Sequence, residues 1–227
     1  MAISIQMELN ERLYLRDPQE TKLGKKIIQN SIILIDEIGF EKFTFKKLAV
    51  RIESTEASVY RYFENKHKLL VYLVSWYWEW VKFQIDFNTM NIVDPREKLK
   101  RVLSVLAEAS KANPYVEHVD EQTLHRIVIA EASKAYHTKE VDEENKEGFF
   151  LNYKVLTTKI SDIIKEINPD FPYPTALASN LIEMANNHIY FAEHLPSLTD
   201  VKINEGRDLS EIQDLLEFFA FKLLDHA

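Results

Sequence analysis

Between Gly39 and Leu70 the chain reads GFEKFTFKKLAVRIESTEASVYRYFENKHKLL, and this stretch constrains the fold more than any other. Phe45, Leu48, Ala49 and Ile52 fall at i, i+3, i+4 and i+7, which is one apolar face of a helix. Thr44 stands just before that run as an N-cap, and Glu53 and Ser54 make a turn. Thr55 is placed to cap a second short helix that carries Val59, Tyr62 and Phe63. Two short helices across a tight turn have the layout of a helix-turn-helix DNA reader. A helix predicted over about Lys22 to Ile38, with Ile28, Ile32, Ile35 and Ile38 on one face, precedes them and closes at Gly39.

The rest of the chain is also predicted to be helical. Only 4 Gly and 7 Pro punctuate its 227 residues, and long apolar-periodic runs lie between them. Asn65 caps a fourth helix through the tract VYLVSWYWEWVKFQIDF. Further helices are expected over about Arg96 to Ala112, Glu121 to His137, Asp142 to Ile167, Thr175 to His194 and Leu209 to Asp225. The expectation is an all-α chain of about nine helices. A three-helix head at about 20–65 would be followed by a helical body at about 66–227.

Charge separates the two parts. The net charge is −8, yet Lys22 to Leu70 holds ten Lys and Arg against six Asp and Glu, while Val71 onward holds sixteen against twenty-six. A basic head on an acidic body suits a chain of which one end meets phosphate, although an ordinary mixed surface reads the same way. Cys is absent, which removes disulfides, thiolate metal sites and a Cys nucleophile, and suits a reducing cytoplasm. The first twenty residues carry acids early and lack an apolar core segment, so no secretion signal is expected. No uncharged apolar run is long enough for a membrane span. His118 and His125 stand seven apart and His188 and His194 six apart, unlike helical zinc pairs. With no Ser-His-Asp order and no Gly-rich phosphate loop either, neither an enzyme, a metal nor a cofactor is expected.

The run Thr44, Leu48-Ala49, Ser58-Val59-Tyr60, Tyr62-Phe63, Lys66 and Leu69, after a helix ending in Gly39-Phe40, resembles the head of TetR-type transcriptional regulators. The resemblance covers about fifty residues closely; the remainder agrees in length and helical layout. It implies a homodimer that reads a near-palindromic operator in double-stranded DNA and responds to a small-molecule effector bound in the body. There are two departures. Such regulators place Ala-Gly-Val at the turn, where this chain has Ile52-Glu53-Ser54, so a carboxylate side chain replaces the glycine that turns cheaply. Glu56 opens the reading helix where a basic residue is common; it suits the helix dipole, repels phosphate and can accept from cytosine N4.

Candidate residues follow from the motif. Tyr60, Arg61, Ser58, Ala57 and Glu56 form the exposed side of the reading helix, against the alternative of a plain solvated face. Thr44 and Thr55 are caps in either reading, and Thr44 also lies where the resemblance implies a phosphate. Lys46, Lys47 and Lys66 are candidate phosphate contacts, Lys66 as the family's motif lysine. Tyr62 and Phe63 are expected in the core. In the body, Trp76, Trp80, Phe83 and Phe87 share a helical face, and the resemblance makes that helix a cavity wall. Four rings on one face equally make a core. His118, His125, Phe150, Tyr153 and His188 complete the ligand candidates, with Tyr115 and Tyr136. Leu181, Ala185, Ile189, Ile212, Leu216, Phe219 and Leu223 lie on the wide apolar faces of the last two helices. The resemblance makes those faces a four-helix dimer interface, against the alternative of a pair closing the monomer's own core. A helical adaptor whose head grips a protein is the competing function, favoured by Glu53 and Glu56; an enzyme using the aromatic body as a substrate pocket is a remoter one.

Overall fold

Helix α1 (Lys22–Ile38) starts where Thr21 accepts a hydrogen bond from the Gly24 N–H and stops at Gly39, whose φ is +76°. Gly24 is fixed by packing: a Cβ there would lie 2.3 Å from the Pro18 carbonyl oxygen. Helix α2 (Phe45–Arg51) and helix α3 (Glu56–Tyr60) follow, and α4 (Lys66–Thr89) is the longest in the chain. Their starts agree with those read from the sequence, because Thr21, Thr44, Thr55 and Asn65 cap them; α3, however, ends at Tyr60, so Tyr62 and Phe63, expected on it, follow its C-cap Arg61. The computed structural model describes residues 6–108, 118–203 and 208–226.

Among the described residues there are eleven α-helices, three short 3-10 turns and no strand, so the chain is all-α. The count exceeds nine because two expected helices are broken. The stretch predicted from Glu121 to His137 divides into α6 (Glu121–Glu131) and α7 (Ser133–Tyr136). The stretch predicted from Asp142 to Ile167 divides into α8 (Val141–Lys146) and α9 (Leu151–Ile167). Gly148 makes the second break: at φ +82° it ends α8, and Phe149 and Phe150 then turn inward. Helix α5 spans Pro95–Glu108; its expected continuation to Ala112 lies outside the described residues, as does Tyr115. Helix α10 (Pro174–His194) and helix α11 (Ser210–His226) end the chain.

The helices form two compact units. One takes the described residues up to Trp80 together with 118–152. Here α6 packs on α1, and the Arg126 guanidinium grips Asp36 through two hydrogen bonds of 3.0 and 2.8 Å. The chain before α1 is pinned in the same unit: Leu15 N–H donates to the Tyr62 carbonyl, and Asn10 donates to the Glu147 carbonyl at 2.7 Å. The other unit takes 81–108 and the described residues from Tyr153 onward. Its core is built by α5, α10 and α11 around Leu103, Leu181, Ala185, Ile212 and Leu216, all fully buried. No described helix is long and apolar enough to cross a membrane.

Candidate nucleic-acid interface

Helix α2 is held at both ends by side chains. Thr44 accepts from the Lys47 N–H at 3.2 Å, and Phe45, Leu48 and Ala49 bury its inner face. Beyond its last turn Glu53 adopts φ +53°, the left-handed conformation in which a Cβ is strained. The Lys26 ammonium reaches over to the Ile52 carbonyl at 2.8 Å and holds that turn. Arg51 pairs with Glu37 through both guanidinium nitrogens, one at 3.0 Å, tying α2 to α1.

Helix α3 presents its short outer face through a chain of polar contacts. Thr55 accepts from the Ser58 N–H at 3.2 Å, and their hydroxyls lie 2.8 Å apart. Arg61, the residue that caps α3, donates to the Ser58 hydroxyl at 3.4 Å. Tyr60 is 47% exposed, and its ring meets Phe45 edge-on at 5.0 Å. Thr44, Lys46, Lys47, Thr55, Glu56, Ala57, Tyr60 and Arg61 are exposed, and Ser58 is half-buried. The side chains singled out at the head thus stand together on α2, α3 and their caps. Tyr62 and Phe63 are buried, and the Tyr62 hydroxyl lies 2.7 Å from that of Thr21. Lys66 is placed otherwise. Its ammonium faces the carbonyl oxygens of Phe40, Glu41 and Phe43 at 3.1, 3.3 and 3.5 Å and sits 4.7 Å from the Phe40 ring centre.

The body candidates divide between the units. Trp76, Trp80, His118, His125 and Phe150 belong to the unit that holds the head. Trp76 and Trp80 are fully buried and stacked, with ring centres 6.2 Å apart. His125 lies parallel to Tyr77 at 5.3 Å, and burial raises the Tyr77 hydroxyl pKa far above its ordinary value, so it stays protonated. Phe150 meets Tyr136 edge-on, and the Tyr136 hydroxyl accepts from the Trp78 indole at 2.7 Å. Phe83, Phe87, Tyr153 and His188 belong to the other unit. Phe83 and Phe87 stack on each other and are exposed. Tyr153 donates to Glu183 at 2.8 Å, and His188 Nδ1 lies 2.8 Å from the Thr199 hydroxyl. Within that unit an open cleft of about 720 Å³ is lined by Asp86, Met90, Lys98, Val155 and Asp162 among others. None of these was singled out from the sequence, because a mixed set of charges and aliphatics on three helices carries no pattern along the chain.

Of the apolar residues on the last two helices, Leu181, Ala185, Ile189, Ile212 and Leu216 are buried in their own unit's core. Phe219 and Leu223 remain about half exposed, and with Tyr173, Ala176 and Met184 they line an apolar groove of about 590 Å³. Periodicity alone finds an apolar face but does not tell the stripe that fills the core from the one beside it. Among the described residues no group of three or more His, Asp or Glu is arranged to hold a metal ion.

Residues 27–73 match the sequence model of bacterial regulatory proteins of the tetR family. No curated protein matches the chain. Several solved structures share its fold. The crystal structure of AibR in complex with isovaleryl coenzyme A and operator DNA aligns over 85% of this chain and 95% of that one, at 14% identity and TM-score 0.58. The ketosteroid transcriptional regulator KstR2 of Mycobacterium tuberculosis aligns over 98% and 97%, at 13% identity and TM-score 0.57. The superantigen PfiT aligns over 93% and 100%, at 13% identity and TM-score 0.61, so this fold serves more than one role. The head of the chain, over residues 27–73, belongs to the tetR family of bacterial regulatory proteins, and the chain around it carries the fold of that family's solved regulators.

Proposed function

We propose that this protein is a ligand-responsive, DNA-binding transcriptional regulator that acts as a homodimer on a near-palindromic operator, as a repressor. The observation that carries the reading is the exposed pair Tyr60 and Arg61, with half-buried Ser58 between the Thr55 and Arg61 side chains and Lys46 and Lys47 exposed on α2, in a head whose sequence matches the family model. Arg61 offers a fork for guanine or phosphate, and the Tyr60 ring and hydroxyl suit a thymine methyl or a phosphate. Lys46 and Lys47 supply affinity without sequence choice. Thr44, Thr55 and Ala57 complete the DNA face, with Glu56 as a reader of cytosine. The inward placement of Lys66 leaves it out of this contact set.

The division of labour we propose gives DNA reading to residues 20–65, and effector binding and dimerisation to 66–227. Support for an effector comes from solved relatives in fold: one is described with an acyl coenzyme A, another as a ketosteroid regulator. We propose an apolar or aromatic small molecule here, with Phe83 and Phe87 as the candidates that already expose ring surface. The dimer contact is proposed on the outer stripe of α10 and α11, from Tyr173 to Phe219 and Leu223, rather than on the buried Leu181, Ala185, Ile189, Ile212 and Leu216. An effector moves the equilibrium only by its difference in affinity for the two head arrangements.

The test is a selection of random DNA duplexes with the purified protein at two salt concentrations. The expected result is a two-fold-symmetric motif whose affinity falls as salt rises, weakened in Tyr60→Ala and Arg61→Ala. A well-folded protein that enriches no motif at either salt would overturn the reading and favour a head that binds a protein partner, with Glu53 and Glu56 on its surface.

A further inference from the structure

The turn from Gly39 to Phe43 leads into α2 and is gripped from two sides by residues far away in sequence. On one side stands the Lys66 ammonium, on the three carbonyls at 3.1, 3.3 and 3.5 Å. On the other side Glu131, the last residue of α6, accepts the Phe40 N–H at 3.0 Å. Lys134 of α7 then bridges two carboxylates, Glu131 at 2.7 Å and Glu41 at 3.1 Å. The turn is thus charge-matched: a cation meets its carbonyls, a carboxylate meets its N–H, and a lysine ties that carboxylate to the turn's own Glu41.

The aromatic rings carry the turn's position onward. Phe43 is fully buried and meets Phe45 edge-on at 6.3 Å; Phe45 in turn meets Tyr60 edge-on at 5.0 Å. A shift of the turn therefore moves Phe43, and through two ring contacts it moves the exposed aromatic of the reading helix. The rings are packed, so the displacement is transmitted rather than absorbed.

We propose that Lys66, Glu131 and Lys134 are positioning residues that fix the reading face from behind, and that Lys66 makes no phosphate contact. This rests on the DNA-reading function above. It assigns the grip on the head to the end of α6 and to α7, 91 residues along the chain from Phe40. Glu131 and Lys134 lie outside the head's sequence motif, and Lys66 lies within it but acts on the backbone.

Two readouts test this on the full chain. The first needs no DNA: backbone amide exchange in Glu131→Ala, Glu131→Gln and Lys134→Ala. Exchange at the Phe40 amide is expected to quicken in Glu131→Ala and to stay near the parent's in Glu131→Gln, which keeps an acceptor oxygen. Lys134 is exposed enough that its removal leaves the fold intact, and exchange across 39–43 is expected to rise modestly. Unchanged exchange at the Phe40 amide in Glu131→Ala would overturn the grip. The second readout is the salt dependence of binding to the selected duplex. Lys66→Met and Glu131→Ala are expected to weaken binding about 3- to 10-fold, the size of one lost hydrogen bond, with the slope of log K against log salt unchanged. Lys46→Met, as a control, is expected to flatten that slope by about one. A slope flattened by as much in Lys66→Met would overturn the proposal, because it would place that ammonium on a phosphate. Should the parent bind no duplex at all, the DNA reading fails, while the exchange experiment still decides the grip.

Discussion

The two turns that flank α2 solve the same geometric problem in opposite ways. Each needs a residue at positive φ. The leading turn uses Gly39 at +76°, buries Phe40 and Phe43 beneath itself, and receives Lys66 and Glu131 from outside the turn. The trailing turn uses Glu53 at +53°, leaves that side chain exposed, and is held by Ser54 N–H on the Ala49 carbonyl at 2.9 Å and by Lys26. The first has glycine where the backbone demands it and is braced by distant residues. The second carries strain and is held by backbone bonding within the turn and by a lysine from α1, neither of which matches the reach of Glu131. The leading turn is thereby the fixed reference of the head, and the trailing turn is the place where sequence change is cheapest.

Four substitutions or conditions break or sharpen that contrast, in order of expected effect. Phe43→Ala removes a fully buried ring from under the leading turn and should cost about 3–5 kcal/mol in denaturant unfolding; a loss below about 1 kcal/mol would mean that the turn does not depend on its core. Gly39→Ala has open space for its Cβ, the nearest atom being Glu131 Oε1 at 3.8 Å, so its cost is backbone strain alone, about 1–3 kcal/mol. At the trailing turn the sign reverses. Glu53→Gly should stabilise by about 0.5–1 kcal/mol, since relief of the left-handed strain exceeds the extra freedom of the unfolded chain. A lower melting temperature for that variant would contradict the account of strain. It should also strengthen duplex binding by removing a carboxylate from the basic head.

The smallest effect is one of pH. The hydrogen bond from Lys134 holds the Glu41 carboxyl below its ordinary value of 4.5. A carboxyl lowered in the folded state contributes stability that is present above 4.5 and is lost as pH falls through the depressed folded value. The stability difference between the parent and Lys134→Ala should therefore shrink when titrated from neutral pH to below 4.5. A difference that is constant across that range would remove the Glu41 arm of the brace.

What could be read from the sequence was what is encoded locally. Thr21, Thr44 and Thr55 cap their helices with their own hydroxyls, so α1, α2 and α3 begin where the spacing predicts. The cluster of exposed residues on α3 follows from the same periodicity. Contacts between distant segments carry no such signal. Nothing in the spacing says that Lys66 turns toward backbone carbonyls, or that Glu131 reaches Phe40. The apolar period runs through Gly148 without a break, yet at φ +82° that residue ends α8, and Phe149 and Phe150 turn into the core. The aromatic face of α4 shows the same limit: Trp76 and Trp80 are buried while Phe83 and Phe87, further along the same predicted stripe, stay exposed.

That stripe has a spectroscopic consequence. The chain has 3 Trp, at 76, 78 and 80, all at most 2% exposed and all in the unit that contains the head. Tryptophan emission is therefore a reporter on that unit alone, and the stacked indoles of Trp76 and Trp80 give it a near-ultraviolet dichroic signature. Far-ultraviolet dichroism sums over the helices of both units. Overlaid melting curves from the two signals would mean that the units unfold as one, and a gap between them would give the stability of the head's unit separately from its neighbour's.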